Sequence, residues 1–388
     1  MFAAARCFFG APLRNSFDAL WYHPPRKQTR LRIKGGNVLG LKQPVLGIAA
    51  AVFVMGVSLA FVSLFDFPTF AGWVAYLMIC IIPMEIVIGV VWGTNQPAVA
   101  AKQKQPVKGI LLAALTVVAG AIVAPIYLAI AGGSITPPGP VPSHAIIVSV
   151  IVTFWAAIMF GGWPFKALIK NEVAAGLAIL VSGYTVNILL FRLFFDYSFM
   201  QGAPVYVASL DPHGMFNALN ALVFYVTFLS IMFLMLSFDL WPLTKFPAVM
   251  RQPVLGIVWT IVCFGLGGLA FWIGIGVMKM DVMVFLVTVP IPYIFGSIIV
   301  LNILQNSLLA KFTQPAKGVA NAVLVAVIGT ALAQLYRALA PAVTGTLQSG
   351  PPTYDMEIWL ASALLAVTFP CLIFFAEFLK FWPLPKSE

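Results

Sequence analysis

Lys42-Gln43-Pro44-Val45-Leu46-Gly47 closes a short basic loop and opens a long apolar run. The pattern returns as Lys104-Gln105-Pro106-Val107-Lys108-Gly109, as Arg251-Gln252-Pro253-Val254-Leu255-Gly256 and as Thr313-Gln314-Pro315-Ala316-Lys317-Gly318. The glutamines stand 62 residues apart within each pair, and the pairs stand 209 apart. Each copy has the chemistry of a helix start. Proline suits the first turn, where its missing N–H has no intrahelical partner to lose. The glutamine can cap exposed amides, the cation stays at the headgroup level, and the glycine admits a close neighbour. Helix start and packing is the reading of these loops; substrate binding is the alternative.

Around these starts the chain is apolar. Its 388 residues are 61% hydrophobic and 9% charged, against about 25% charged in a soluble domain. So few charges leave most of the surface to lipid. Ten runs reach the roughly 18 residues needed to cross a bilayer, at roughly 48–66, 70–94, 109–132, 144–163, 172–194, 215–240, 254–278, 282–304, 318–340 and 356–380. The expected fold is an all-α polytopic membrane protein, with about ten transmembrane helices in five hairpins. The four cysteines, Cys7, Cys80, Cys263 and Cys371, form no CxxC pair and read as small core residues.

The net charge of +10 is topological rather than a nucleic-acid footprint. Of the 22 lysines and arginines, eight fall in residues 1–42 and eleven more at other loops and ends on the same side. Only Arg192, Lys279 and Arg337 fall toward the opposite side. The positive-inside rule then places both termini and every Gln-Pro loop in the cytoplasm, with the chain in the cell (inner) membrane. Residues 1–42 form the tail, and its first 20 residues, with Phe2, Phe8, Phe9 and Phe17 among basic residues, fit an interfacial helix. Spans 4, 6 and 10 are expected to stop at Trp163-Pro164, Trp241-Pro242 and Trp382-Pro383.

An offset of 209 also matches Gly56 with Gly265, Pro83 with Pro292, Gly120 with Gly329 and Tyr127 with Tyr336. Spans 1–4 and 7–10 therefore read as a tandem parallel duplication. The expected units are a first four-helix repeat over 43–170, an intervening pair over 171–250, and a second repeat with a short tail over 251–388. Equal orientation implies an axis along the membrane normal.

Symmetry separates scaffold from candidate site. Pro83 and Pro292 read as structural kinks. Glu85 has Ile294 as its counterpart, and an intramembrane carboxylate is expensive enough to be a functional-site hypothesis; it fits proton relay or cation binding. Arg337, beside the repeated Tyr336, and Arg192 fall near the outer surface, where cations attract anions; Arg192 is also expected to reach Asp196 one turn on. Tyr127, Tyr336 and Asn302 complete the path candidates, with interhelical hydrogen bonding as their plainer role. His144, with Asp211 and His213, is the only grouping from which a metal site could be built, and no metal or cofactor is expected. No P-loop, helix-opening GxGxxG or HExxH occurs, so no catalytic residue is assigned and a non-enzymatic role is expected. The reading is a transporter or channel for a small solute, an anion or a proton-coupled substrate, working in the lipid bilayer. The alternatives are a non-transporting subunit with protein partners, or a membrane enzyme acting on a lipid.

Overall fold

A computed structural model describes residues 40–385; the expected interfacial helix at 1–20 lies outside them. The fold is 72% helical with almost no sheet. Among the described residues ten helices are long and apolar enough to span a bilayer: α1 Val45–Val62, α2 Phe67–Val91, α3 Val107–Gly132, α4 Pro140–Met159, α5 Glu172–Phe194, α6 Ala218–Ser237, α7 Val254–Val277, α8 Val282–Ile303, α9 Ala316–Val343 and α10 Asp355–Phe378. The protein is a multi-pass membrane protein. In all four Gln-Pro copies the helix begins at the residue after the proline, which sits at the N-cap with helical backbone angles; in three of them this is two or three residues earlier than the apolar runs indicate, and in the third copy, at Val254, the two agree.

Burial alternates along the chain. The even helices are 78, 67, 67, 78 and 61% buried, and the odd ones 44, 28, 33, 28 and 28%. The even helices pack on one another in the order α2, α4, α6, α8, α10 and back to α2, which closes a ring. The odd helices lie outside it: α3 on α2, α5 on α4, α7 on α6, α9 on α8 and α1 on α10. With lipid outside, no hydrophobic force separates inner from outer helices; packing and interhelical hydrogen bonds decide.

The Gln-Pro signature works at the seams of this ring. Gln43 donates from Nε2 to the carbonyl of Ile303, the last residue of α8, at 2.9 Å. Gln105 donates to Phe378 at the end of α10 at 2.6 Å, and Gln252 to Met159 at the end of α4 at 2.8 Å. Each glutamine also accepts, through Oε1, the amide of the glycine four residues on. One side chain thus joins an orphan carbonyl of one helix to an orphan amide of the next. Gln314 varies the theme, donating at 2.9 Å to Asp239 just beyond α6, where Lys317 adds an ion pair at 2.8 Å.

A fifth seam is present without proline. Glu172 and Gly176 hold the spacing of Gln and Gly, and the indole of Trp92, the residue after α2, donates to the Glu172 carbonyl at 2.9 Å. At every seam the glycine faces the residue that follows an even helix: Gly47 against Leu304, Gly109 against Leu379, Gly176 against Trp92, Gly256 against Phe160 and Gly318 against Phe238. A methyl group there would collide with that residue.

The even helices also end alike. α2, α4, α8 and α10 widen into a π turn over their last residues, Val87–Val91, Trp155–Met159, Ile298–Ile303 and Phe374–Phe378. Two consecutive left-handed residues then follow all five: Gly93 and Thr94, Gly161 and Gly162, Asp239 and Leu240, Gln305 and Asn306, Lys380 and Phe381. These pairs stop the helices. The Trp-Pro pairs do not: α4, α6 and α10 end at Met159, Ser237 and Phe378, before the tryptophans are reached. The interruption of α8 likewise falls at Val289–Pro290, where Val289 has φ −118° and ψ −77°, rather than at Pro292. Crowding by the proline ring disfavours ideal helical angles for the residue before it. Pro83, by contrast, lies inside a helical stretch, Ala75–Ile86.

Candidate functional site

The ring encloses an axis, and three layers of side chains follow one another along it. Farthest from the Gln-Pro end is a cavity of about 110 Å³ to which all five even helices contribute, among them Ile82, Ile151, Leu229, Ile294 and Ala366. Ser362 is the one polar side chain in its lining.

Next comes an aromatic layer. Phe154 of α4 stands edge-on to Phe233 of α6 at 5.8 Å between ring centres and to Phe369 of α10 at 6.1 Å. All three are buried. Phe154 and Phe369 line the cavity on one side and a smaller pocket on the other. They separate the two volumes.

The third layer is that pocket, about 30 Å³, which holds Glu85 of α2, Asn302 of α8 and Glu377 of α10. That space is enough to admit at least one water. Glu85 and Asn302 are each 3% exposed. Glu85 Oε2 and Asn302 Nδ2 have no hydrogen-bond partner, which in a native structure calls for a water, an ion or a function. Among the described residues no ion pair involves Glu85, whereas Glu377 pairs with Lys380 at 2.9 Å. The pocket therefore holds one carboxylate without a fixed counter-charge.

Other polar groups of the inner ring are turned away from the axis. Ser149, Thr153, Thr227, Ser230 and Ser297 donate to carbonyls of their own helices. Such back-bonding satisfies a hydroxyl within one turn and leaves the cavity wall apolar.

The remaining sequence candidates do not join Glu85 and Asn302. The Tyr127 hydroxyl accepts from Asn187 at 2.8 Å, and Asn187 also donates to the Ala145 carbonyl, a knot between α3, α4 and α5. Tyr336 shares a hydrogen bond of 2.8 Å with Thr368, tying α9 to α10. Arg192 and Arg337 stand on the outer helices α5 and α9, Arg192 exposed and Arg337 half-buried, and neither lines the cavity or the pocket. The expected Arg192–Asp196 contact is replaced. α5 ends at Phe194, so the two residues do not share a helix face, and Asp196 turns to Ser198 and His213.

Beyond α5 two short strands, β1 Phe195–Asp196 and β2 Phe216–Asn217, pair in parallel and fold the long loop between them. The buried Asp211 carboxylate organises that loop, accepting the amides of Tyr197 at 3.0 Å and His213 at 2.9 Å and the Tyr206 hydroxyl at 3.1 Å. Hydrogen bonds from Ser198 hold the Asp196 carboxyl below the usual range. Asp196, Asp211 and His213 each bring one ligand atom within 4.8 Å of the others. His144 does not join them; it bonds the Tyr197 hydroxyl at 3.0 Å.

The sequence reading missed Glu377 and the three phenylalanines. Glu377 carried a signal, an acid inside the last apolar run. The phenylalanines carried none, since 32 occur in the chain and nothing local marks those that meet on an axis.

The chain matches no protein-family model, no curated protein and no solved structure.

Proposed function

We propose that the protein is a transporter or channel for a small solute, and that the solute passes along the axis of the inner ring. The observation that carries this reading is the stack of cavity, aromatic layer and acidic pocket within one closed ring of five even helices. A subunit that only anchored a partner would have no need of an axial cavity lined by every inner helix. Pairing each odd helix with the following even one makes five hairpins around a common axis, and the 209-residue correspondence reads as duplication of four helices within that ring. Lysine and arginine at the Gln-Pro end support a cytoplasmic position for that end. Arg192 and Arg337, off the axis, then serve as outer-surface cations. Tyr127 joins the outer helices α3 and α5, and Tyr336 holds the outer α9 to the inner α10.

Glu85 is the group on this path able to exchange a proton or hold a cation, because it is buried and faces no fixed positive charge. The test is uptake by proteoliposomes under a proton gradient, with Glu85→Gln as the variant. Loss of gradient-driven uptake at unchanged protein level is the expected result. Wild-type uptake in Glu85→Gln removes Glu85 from the mechanism. A wild-type protein that moves no solute, and leaves mild detergent in fixed stoichiometry with another protein, favours the subunit reading instead.

A further inference from the structure

We propose that the axial cavity is a dry binding site for one small, uncharged, apolar molecule, and hence that the transported solute belongs to that class. The second half rests on the transport reading; the first does not. The argument begins with what the wall lacks. No carboxylate, cation or amide lines the cavity; the Ser362 hydroxyl is the one polar side chain in its wall, and Ser149, Thr153 and Thr227 donate to carbonyls of their own helices. A water molecule needs two to four polar partners to remain in a cavity, and apolar cavities stay empty of it. An ion entering would shed its hydration shell and find no charge or dipole to replace it. Glu85 cannot supply one, because Phe154 and Phe369 stand between it and the cavity.

What the wall offers is dispersion contact. Branched aliphatic side chains from five helices converge on one volume, and an apolar guest gains contacts with all five at no loss of hydrogen bonds. Size narrows the class. An apolar cavity of about 150 Å³ accepts benzene or xenon. At about 110 Å³ the site suits xenon or a guest of about four non-hydrogen atoms, such as a short hydrocarbon or a dissolved gas.

The experiment is a xenon-129 NMR titration of the purified full-length chain in nanodiscs. Xenon dissolves in lipid without saturating, so the saturable part of the shift is the signal read. Wild type should show it, and Ala366→Phe, which fills the cavity from α10, should lose it. Val327→Phe, which changes an exposed position of α9, should keep it. Leu229→Ala enlarges the cavity and should gain saturable benzene binding, a gain that misfolding cannot produce. Absence of saturable xenon binding in wild type, its survival in Ala366→Phe, or no benzene binding in Leu229→Ala overturns the site. The two readings then separate by flux. Chloride or potassium conductance without xenon binding overturns this inference and leaves transport standing. Saturable xenon binding with no flux of any solute keeps the site and removes transport.

Discussion

Truncating Phe154 to alanine should open the axis. The ring lies between the cavity of about 110 Å³ and the pocket of about 30 Å³ and touches both. Its removal joins them. The wild-type layer is held by two edge-on contacts, to Phe233 and Phe369, and such a pair contributes about 1 kcal/mol beyond area burial. Passage through the intact layer must break both, so truncation lowers the barrier by about 2 kcal/mol, or about 30-fold in rate. The same change should destabilise the fold by about 3–5 kcal/mol, the usual range for phenylalanine to alanine in a core. The assay is stopped-flow flux in proteoliposomes at matched amounts of folded protein. Phe264→Ala, at a site 46% exposed on α7, serves as the control and should leave flux unchanged. If Phe154→Ala carries solute at the wild-type rate while remaining folded, the aromatic layer is not the barrier and the axial path is wrong.

Three further outcomes follow from the seams and loops. Gln105→Leu loses its bond to Phe378 and the one from Gly109. It should lower unfolding stability by about 1–2 kcal/mol, measured by denaturant titration in detergent, with flux per folded molecule unchanged. Gly256→Leu drives a side chain into the Phe160 ring and should prevent accumulation in the membrane, whereas Gly56→Leu, with open space around it, should not; equal amounts of both on immunoblots would contradict the packing. Asp66 caps α2 by accepting the Thr69 amide at 2.9 Å, and hydrogen bonding to Thr69 lowers its pKa. A depressed folded pKa means that the cap's contribution is present above the unfolded value and is lost as pH falls through the folded one. Wild type should therefore lose thermal stability below the ordinary aspartate range, and Asp66→Asn should not share that step.

Much of the fold was legible because the bilayer leaves the chain few options. Apolar runs long enough to cross it must be helices, since every backbone group has to be satisfied within the segment. That constraint alone placed ten helices to within a few residues. The Gln-Pro signature was readable as a helix start for the same reason. Its second role was not. Gln43 and Ile303 lie 260 residues apart, and the fifth seam hid because glutamate and valine stand where glutamine and proline occur elsewhere. The Trp-Pro pairs misled because the stops are made two residues after each even helix by left-handed backbone, which several residue types adopt here.

Which helices face the axis was beyond the sequence. The ten spans have similar mean hydropathy, from 1.8 to 2.6, and in a solvent as apolar as the core no amphipathic stripe marks the buried face. Glu85 stood out in the chain because a carboxylate in hydrocarbon is anomalous wherever it sits. Its neighbours Asn302 and Glu377, and the phenylalanines that shut it off from the cavity, became a site only when five even helices closed on one axis. Composition thus determined a multi-pass membrane protein, with ten helices among the described residues long and apolar enough to cross; packing alone decided what lies at the centre.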